Sequence, residues 1–341
     1  MSWNKPMPAD PVVAVAGATG AVGREMLKVL EQRAFPASRV LALASERSAG
    51  QKLSFGRQEL LVEAMTPASF QGVDLVLFAA GSAVVRALAP AVNAAGAVII
   101  DNSSEFRMAA EVPLVVPEVN PDSVWEHSGI IANPNCSTIQ MVVALAPLRQ
   151  IAPIRRVVVS TYQAASGAGA GAMRELYEQS REFLADKPLT IEHLVQQIAF
   201  NCIPQIDVFR ADGSTKEEWK MAVETQKILA DDQLRVAANC VRVPVLRSHS
   251  EMINVEFSAP VSRAAALAAW QQAPGIQILD DPSQQLYPMP ARVAGTDAVY
   301  LGRIREDPTV DFGLSFWCVA DQLRKGAALN AVQIAELLLS A

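Results

Sequence analysis

The run Val12-Val13-Ala14-Val15-Ala16-Gly17-Ala18-Thr19-Gly20-Ala21-Val22-Gly23 decides the fold of this 341-residue chain. Five apolar residues predict a strand buried on both faces. Glycines at G-x-x-G-x-x-G spacing follow, and Met26, Leu27 and Leu30 then predict a helix. Strand, glycine turn and helix together aim unpaired backbone N–H groups at one spot, a cradle for a phosphate group. The plainer alternative is that these glycines only make tight turns in an α/β protein. Further strands are predicted at Val40 to Ala44, Val73 to Ala79 and Val98 to Ile100, and a helix over Ala83 to Ala95. Apolar strands separated by helices specify a parallel sheet covered on both faces over about the first 130 residues.

Composition narrows the function classes. With 51% hydrophobic residues the chain can bury a large core, in two domains. A net charge of -6, spread without long blocks, argues against a nucleic-acid partner but leaves room for a small anion site. Met1 to Pro11 is polar and proline-rich, with Lys5 its one basic side chain, and carries no signal-peptide apolar core. No apolar run approaches the length of a membrane span. Cys136, Cys202, Cys240 and Cys318 form no C-x-x-C pair, and only three histidines exist, so no metal site is expected. These features predict a soluble, cytoplasmic protein with free thiols.

After residue 150 the texture changes. A strand over Arg155 to Tyr162 runs into a glycine-rich turn from Gln163 to Gly171 and a helix from Met173 to Leu184. Alternating strands follow at Ala238 to Leu246, Met252 to Phe257, Val299 to Ile304 and Phe312 to Val319. Period-two patterning predicts a sheet with helices on one side and something else, such as a second subunit, on the other. Lys325 to Leu339 reads as a helix returning to the first domain.

Two residues stand out chemically. Cys136 follows the strand Ile130-Ile131-Ala132 and the turn Asn133-Pro134-Asn135, and precedes an apolar helix reaching Leu148. A thiol at a helix N-terminus is biased toward thiolate. Its best partner is His249, set in a polar knot with Arg242, Arg247 and Glu251 and suited to proton transfer near neutrality. His127 and His193 read as surface or capping residues, and Cys202, Cys240 and Cys318 as packing residues. Arg107, just beyond a parallel strand, and Lys220, three residues from Glu217 on a helix, make a candidate anion site, although each taken singly reads as solvated. After the second strand, Ser45, Arg47 and Ser48 suit a 2'-phosphate and favour NADP, while Glu46 is the contrary, NAD-type evidence.

Taken together, these motifs resemble the aspartate-semialdehyde dehydrogenase family, in its shorter bacterial branch. The resemblance spans the chain after about residue 10. It rests on Gly17 to Gly23, Ser45 to Gly50, Asn133 to Thr138, Tyr162-Gln163 with Ser166 to Gly169, Glu217 to Lys220, Arg242 to Glu251, and Arg324 to Asn330. It implies an α/β chain: a Rossmann-like parallel-sheet NADP-binding domain (residues 1–133, completed by 324–341) and an α+β catalytic and dimerisation domain with a large mixed sheet (134–323). It further implies reversible reductive dephosphorylation of L-4-aspartyl phosphate by NADPH, giving L-aspartate 4-semialdehyde and phosphate, in a homodimer or a tetramer.

By the same resemblance Cys136 is the nucleophile, His249 the acid/base, and Gln163 orients the acyl intermediate. Arg242 meets the α-carboxylate and Glu217 the ammonium group. Arg107 and Lys220 bind phosphate, and Asn135 joins the substrate set. Gly17, Thr19, Gly20, Ala21, Val22 and Gly23 line the pyrophosphate and adenosine end, with Ser45, Arg47 and Ser48 on the 2'-phosphate. Ser166, Gly167 and Asn330 hold the nicotinamide end. N-acetyl-glutamyl-phosphate reductase is the nearest rival, but it needs no ammonium-binding acid. A glyceraldehyde-3-phosphate dehydrogenase-like reading lacks its acid-terminated second strand. A non-catalytic nucleotide-binding paralogue would be expected to lose the cysteine or the histidine.

Overall fold

The computed structural model describes residues 6–339; Met1–Lys5 of the polar lead, and Ser340 and Ala341 at the end of the expected C-terminal return, lie outside them. The chain divides into two compact units, Met1–Asn135 with Ala327–Ala341, and Cys136–Gly326.

In the first unit seven strands form one sheet: β1 (Val12–Ala16), β2 (Arg39–Ala44), β3 (Lys52–Phe55), β4 (Gln58–Ala64), β5 (Leu75–Phe78), β6 (Val98–Asp101) and β7 (Ile130–Ala132). Their spatial order is β3-β4-β2-β1-β5-β6-β7, all parallel except β3. Without β3, the strand order is that of a dinucleotide-binding sheet, with its reversal between β1 and β5. Both faces are covered. Val13 and Val15 pack with helix α1 (Ala21–Gln32) and the C-terminal helix (Leu329–Leu339); Ala14 and Ala16 pack with Val85, Ala89 and Val92 of α2 (Ser82–Ala94). A bidentate Arg33–Glu336 pair ties the two helices on the first face. β3 and β4, not expected from the sequence, form a half-exposed hairpin whose apolar content is low.

The glycine turn is shaped by space as much as by conformation. Gly17 has φ +89°, and a Cβ there would fall 2.9 Å from the backbone of Ala79 beyond β5. At Gly23 a Cβ would come within 2.2 Å of the Gly17 carbonyl oxygen, so only glycine lets α1 start this close to β1.

The second unit has a six-stranded mixed sheet, β11-β12-β13-β10-β8-β9. Its elements are α3 (Cys136–Arg149), β8 (Ile154–Gln163), α4 (Ala170–Leu184), α5 (Lys216–Leu229), β9 (Arg235–Arg242), β10 (His249–Phe257), α6 (Arg263–Gln272), β11 (Ile276–Ile278), β12 (Val299–Glu306) and β13 (Gly313–Ala320). On the central strand β10, odd-numbered residues from His249 to Phe257 are buried, while Met252, Asn254 and Glu256 on the other face are half-exposed. α3 and α6 cover the buried face, joined by Trp270 Nε1 donating to the Ala144 carbonyl (2.8 Å). β9 stops at Arg242, four residues earlier than its apolar alternation suggests. Pro244 has no N–H for a ladder, and Ser248 takes φ +77°.

Gly23→Ala is expected to destabilise the protein by about 1–3 kcal/mol through overpacking against Gly17; urea unfolding of the purified variant measures it.

Candidate active site

Two cross-strand rows end the buried face of the second sheet. Along β10, β8 and β13 the interior positions are apolar: Val157, Val159, Ile253, Val255, Leu314 and Phe316. At one end the pattern turns polar. Cys240, Thr161, Glu251 and Cys318 are paired in register as one row, and Arg242, Gln163 and His249 form the next. Such a buried polar patch is stable only if its groups satisfy one another.

Most of them do so through the neighbouring elements, while the Glu251 carboxyl oxygens and His249 Nε2 have no hydrogen-bond partner among the described residues. Gln163 Nε2 donates to Ser137 Oγ on α3 (2.9 Å) and to Glu217 Oε1 on α5 (3.0 Å), and its Oε1 accepts from Thr161 (3.3 Å). Helix α5 is set by a capping box in which Thr215 Oγ1 accepts from Glu218 N and Glu218 Oε2 accepts from Thr215 N; Glu218 Oε1 also takes the N–H of Cys240 on β9. That anchoring turns Glu217 inward, 4% exposed. Lys220, one turn on, pairs with Glu217 (2.7 Å) and Asp207 (3.1 Å). Burial disfavours its charge, but the two carboxylates outweigh burial and raise its pKa.

The turn after β8 holds the other half. Ala164 N donates to His249 Nδ1 (3.0 Å), and the Ala164 carbonyl accepts from Arg242 Nη1 (2.8 Å). The N–H groups of Ala165 and Ser166 donate to the carbonyls of Val245 and Leu246, lacing the turn to the segment before His249. Gln322 braces the same segment, its Oε1 accepting from Ser248 N (2.7 Å) and its Nε2 donating to Ser166 Oγ. Asp321, fully buried, accepts from Arg247 Nε and Gly295 N, each at 2.6 Å. Thus Ser166 is a buried brace, and Arg247 is tied to Asp321.

His249 is completely buried, and its Nε2 has no partner among the described residues. Its pKa is pushed down to about 3, chiefly by burial, then by Arg242, with Glu217 pulling the other way. Burial also lowers the pKa of Arg242. Glu251 lies fully buried one row deeper, and burial holds its carboxyl well above the usual range.

Cys136 is the first residue of α3, as its sequence context predicts, and is half-buried. Gly326 lies against it: a Cβ at that position would fall 2.8 Å from Cys136 Cβ. The chain there forms a π-helical turn, Arg324–Ala328, so the C-terminal α-helix starts at Leu329 rather than Lys325.

In the first unit the remaining candidates lie beyond the carboxyl ends of parallel strands, except Asn330, which is in the first turn of the C-terminal helix. Thr19 and Gly20 lead from β1 into Ala21 and Val22 of α1, whose N-cap has no side-chain partner. Ser45, Glu46 and Arg47 are exposed beyond β2, with Ser48 half-buried. Arg107 is 7% exposed and donates to the Asn102 carbonyl (3.0 Å). Asn330 Nδ2 donates to the Val115 carbonyl and to Asn133 Oδ1 (3.0 and 2.7 Å), and Asn133 donates to Asn102 Oδ1. Asn135 is buried.

Several single-residue readings are corrected. Arg107 and Lys220 are not solvated. His127 caps the short helix Pro121–Glu126, as one of its two readings had it, but it is buried rather than at the surface, accepting from Gly129 N at 3.1 Å, and burial lowers its pKa; the local polarity of Glu126-His127-Ser128 masked this. Cys202 is exposed, in a loop rather than a strand. Cys240 and Cys318 are buried as expected, and His193 is exposed. Ser137, Ala164, Asp321 and Gln322 were missed. Nothing in composition marks them, and Ala164 acts only through its backbone. Among the described residues no group of three His, Cys, Asp or Glu side chains could hold a metal, and no helix is long and apolar enough to cross a membrane.

Residues 12–127 match the family model described as semialdehyde dehydrogenase, NAD binding domain, and residues 145–325 match that of the dimerisation domain. The chain is 52% identical over 330 residues to the aspartate-semialdehyde dehydrogenase of Aquifex aeolicus (96% of this chain, 97% of the relative). It is 51% identical over 334 residues to that of Bacillus subtilis (96% of each). Among solved structures, aspartate semialdehyde dehydrogenase II from Vibrio cholerae complexed with ASA superposes with a TM-score of 0.95 at 46% identity, over 97% of this chain and 98% of that one. The Candida albicans enzyme with NADP gives 0.74 at 25% identity, over 96% and 98%.

The buried titrating groups make opposite contributions to stability. Between pH 6.5 and about 3 the unfolded chain takes up a proton at His249 that the folded chain refuses, so stability falls as pH drops through that window. Glu251 does the reverse: unfolded, it ionises above pH 4.5, so its contribution falls as pH rises. In urea unfolding across pH, His249→Gln should gain on the wild type by up to about 1.4 kcal/mol per unit below 6.5, and Glu251→Gln should gain by a similar slope above 4.5. Parallel curves for wild type and variants would contradict both assignments.

Proposed function

The chain belongs to the aspartate-semialdehyde dehydrogenase family, and from that premise we propose that it catalyses the reversible, NADPH-dependent reductive dephosphorylation of L-4-aspartyl phosphate to L-aspartate 4-semialdehyde and phosphate. This reaction supplies the branch toward lysine, diaminopimelate, threonine, methionine and isoleucine. The observation that carries the reading is a buried guanidinium, Arg242, and a buried carboxylate, Glu217, in the same patch as His249 and Gln163. A free amino acid needs both charges. An acetylated amine would need no carboxylate, which disfavours the N-acetyl-glutamyl-phosphate reductase alternative.

Cys136 attacks the acyl phosphate as thiolate at the start of α3, where the helix dipole favours the anion. Phosphate leaves, and Arg107 and Lys220 are the cations assigned to it. The substrate ammonium competes with Lys220 for Glu217, which would release Lys220 toward phosphate. Arg242 clamps the α-carboxylate, Asn135 and Gln163 fix the acyl group, and His249 serves the reacting oxygen.

The first unit fits a dinucleotide. Gly17 has no room for a side chain, the N-cap of α1 is bare, and Gly17 to Gly23 lie at the strand-order reversal. Ser45, Arg47 and Ser48 would hold the 2'-phosphate of NADP, with Ser166, Gly167 and Asn330 toward the nicotinamide. When bound, NADPH supplies the hydride that reduces the thioester. A cytoplasmic homodimer through the second unit is part of the reading. Its support is the match to a dimerisation domain and exposed apolar side chains there, among them Phe200, Val208 and Phe209.

The direct test is NADP reduction with L-aspartate 4-semialdehyde, with and without phosphate, beside NAD and N-acetyl-glutamate 5-semialdehyde. Phosphate-dependent reduction of NADP by the first aldehyde alone is expected; preference for the acetylated aldehyde would reverse the assignment. Cys136→Ala should lower turnover by roughly a thousandfold or more while NADPH still quenches or shifts in a binding titration. Arg242→Lys should raise the semialdehyde KM by about tenfold or more, since a point charge replaces a fork. Arg107→Ala should raise the KM for phosphate more than that for NADP.

A further inference from the structure

Strands β6 and β7 end in register at Asp101 and Ala132, so Asn102 and Asn133 stand beside one another one step beyond the sheet. The Asn133 N–H continues the ladder by donating to the Asp101 carbonyl (2.8 Å). Its side chain makes a different connection. Asn133 Nδ2 donates to Asn102 Oδ1 (3.0 Å), and Asn133 Oδ1 accepts from Asn330 Nδ2 (2.7 Å). Asn330 Nδ2 also donates to the Val115 carbonyl, and Asn102 Nδ2 to the Phe78 carbonyl at the end of β5. Three carboxamides thus form one chain between two backbone carbonyls. Those carbonyls can only accept, which fixes the sense of every amide between them. Asn133 is 1% exposed and Asn330 is fully buried, so water offers neither a substitute partner.

Each end of the chain meets a group with a task in the proposed reaction. Arg107 Nη2 donates to the backbone carbonyl of Asn102 (3.0 Å), so the phosphate-binding guanidinium rests on the residue that Asn133 grips. Asp101 steadies the same loop, its carboxyl oxygens accepting from the N–H and hydroxyl of Ser103, each at 2.8 Å. At the other end Asn330 belongs to the nicotinamide side.

We infer that Asn133 is a positioning residue that holds the phosphate-binding Arg107 and the nicotinamide-side Asn330 in a fixed relation through this asparagine chain. The inference rests on the reductase reading above and adds to it a residue outside the assigned binding set. Phosphate departs from, and hydride arrives at, the same acyl carbon, so the groups that hold the two must keep one geometry. Asparagine suits the middle place because it donates and accepts at once, whereas leucine has a similar shape and does neither. Successive amide bonds also polarise one another, so a break at Asn133 is felt at both ends. A break at Asn102 is felt on the phosphate side alone, because Asn330 keeps both of its acceptors.

The test is steady-state kinetics of the full-length protein with L-aspartate 4-semialdehyde, NADP and inorganic phosphate, beside a fluorescence titration of NADPH that needs no turnover. Asn133→Leu is expected to raise the KM for phosphate and that for NADP by about fivefold or more, and the KM for the semialdehyde by less than about twofold. Asn102→Ala, at a half-buried position, is expected to raise the KM for phosphate by about threefold or more and to leave NADP and NADPH as in the wild type. Loss of stability by itself lowers the amount of active enzyme without moving one KM apart from another. Should Asn133→Leu fail to fold, the split in Asn102→Ala decides alone. Equal changes in all three KM values, an unchanged phosphate KM in Asn102→Ala, or wild-type NADPH affinity in folded Asn133→Leu would overturn the inference. A wild-type protein without phosphate-dependent NADP reduction would instead contradict the reaction itself, and the NADPH titration would still read the Asn330 end of the chain.

Discussion

The second sheet ends in charge that has been taken out of water, and the rest of the site follows from how that charge is satisfied. Arg242, Glu217 and Gln163 are each more than nine-tenths buried, and His249 is fully so. Removing one partner from such a set leaves another stranded, which costs more than the bond itself contributes. The elements are therefore locked by their polar ends as well as by apolar packing. Glu218 fixes α5 to β9, Ser137 fixes α3 to β8, and the Ala164 turn fixes β8 to the approach of β10. The guanidinium of Arg242 and the imidazole of His249 share one scaffold, bonded to opposite ends of one peptide.

The deeper row sets two of the thiols apart. Cys240 and Cys318 flank Thr161 and Glu251, and burial pushes both thiols upward, with the Glu251 carboxyl acting in the same direction. A buried thiol with a raised pKa is a packing residue. Cys136, in contrast, sits at the start of a helix and only half-buried. Burial holds the Glu251 carboxyl well above its usual range, which disfavours an anion in this row.

Much of this was legible in the chain. Val12 to Gly23 specify strand, turn and helix because each local preference agrees with the buried position it occupies, and the period-two strands of the second half announce their two-sided sheet. The helix-start position of Cys136 was legible from the strand and turn before it, and the polar setting of His249 from the charged residues around it in sequence. What escaped was long-range or backbone-borne. Asp321 and Gln322 act on residues more than seventy positions away, and Ala164 contributes a peptide that any residue but proline would supply. Arg107 and Lys220 look solvated in one dimension because their burial is set by elements distant in sequence. The strand of Arg242 ended early because a proline and a left-handed serine outweighed apolar alternation.

The central claim is that the substrate passes through a covalent bond to one sulfur. It is tested most directly by mixing enzyme with L-aspartate 4-semialdehyde and NADP in the absence of phosphate, quenching in acid, and mapping the acyl adduct by mass spectrometry. The expected result is a burst of NADPH equal to the enzyme sites, with the added acyl group on the peptide containing Cys136. An adduct on any other residue, or steady turnover with no adduct, would contradict it.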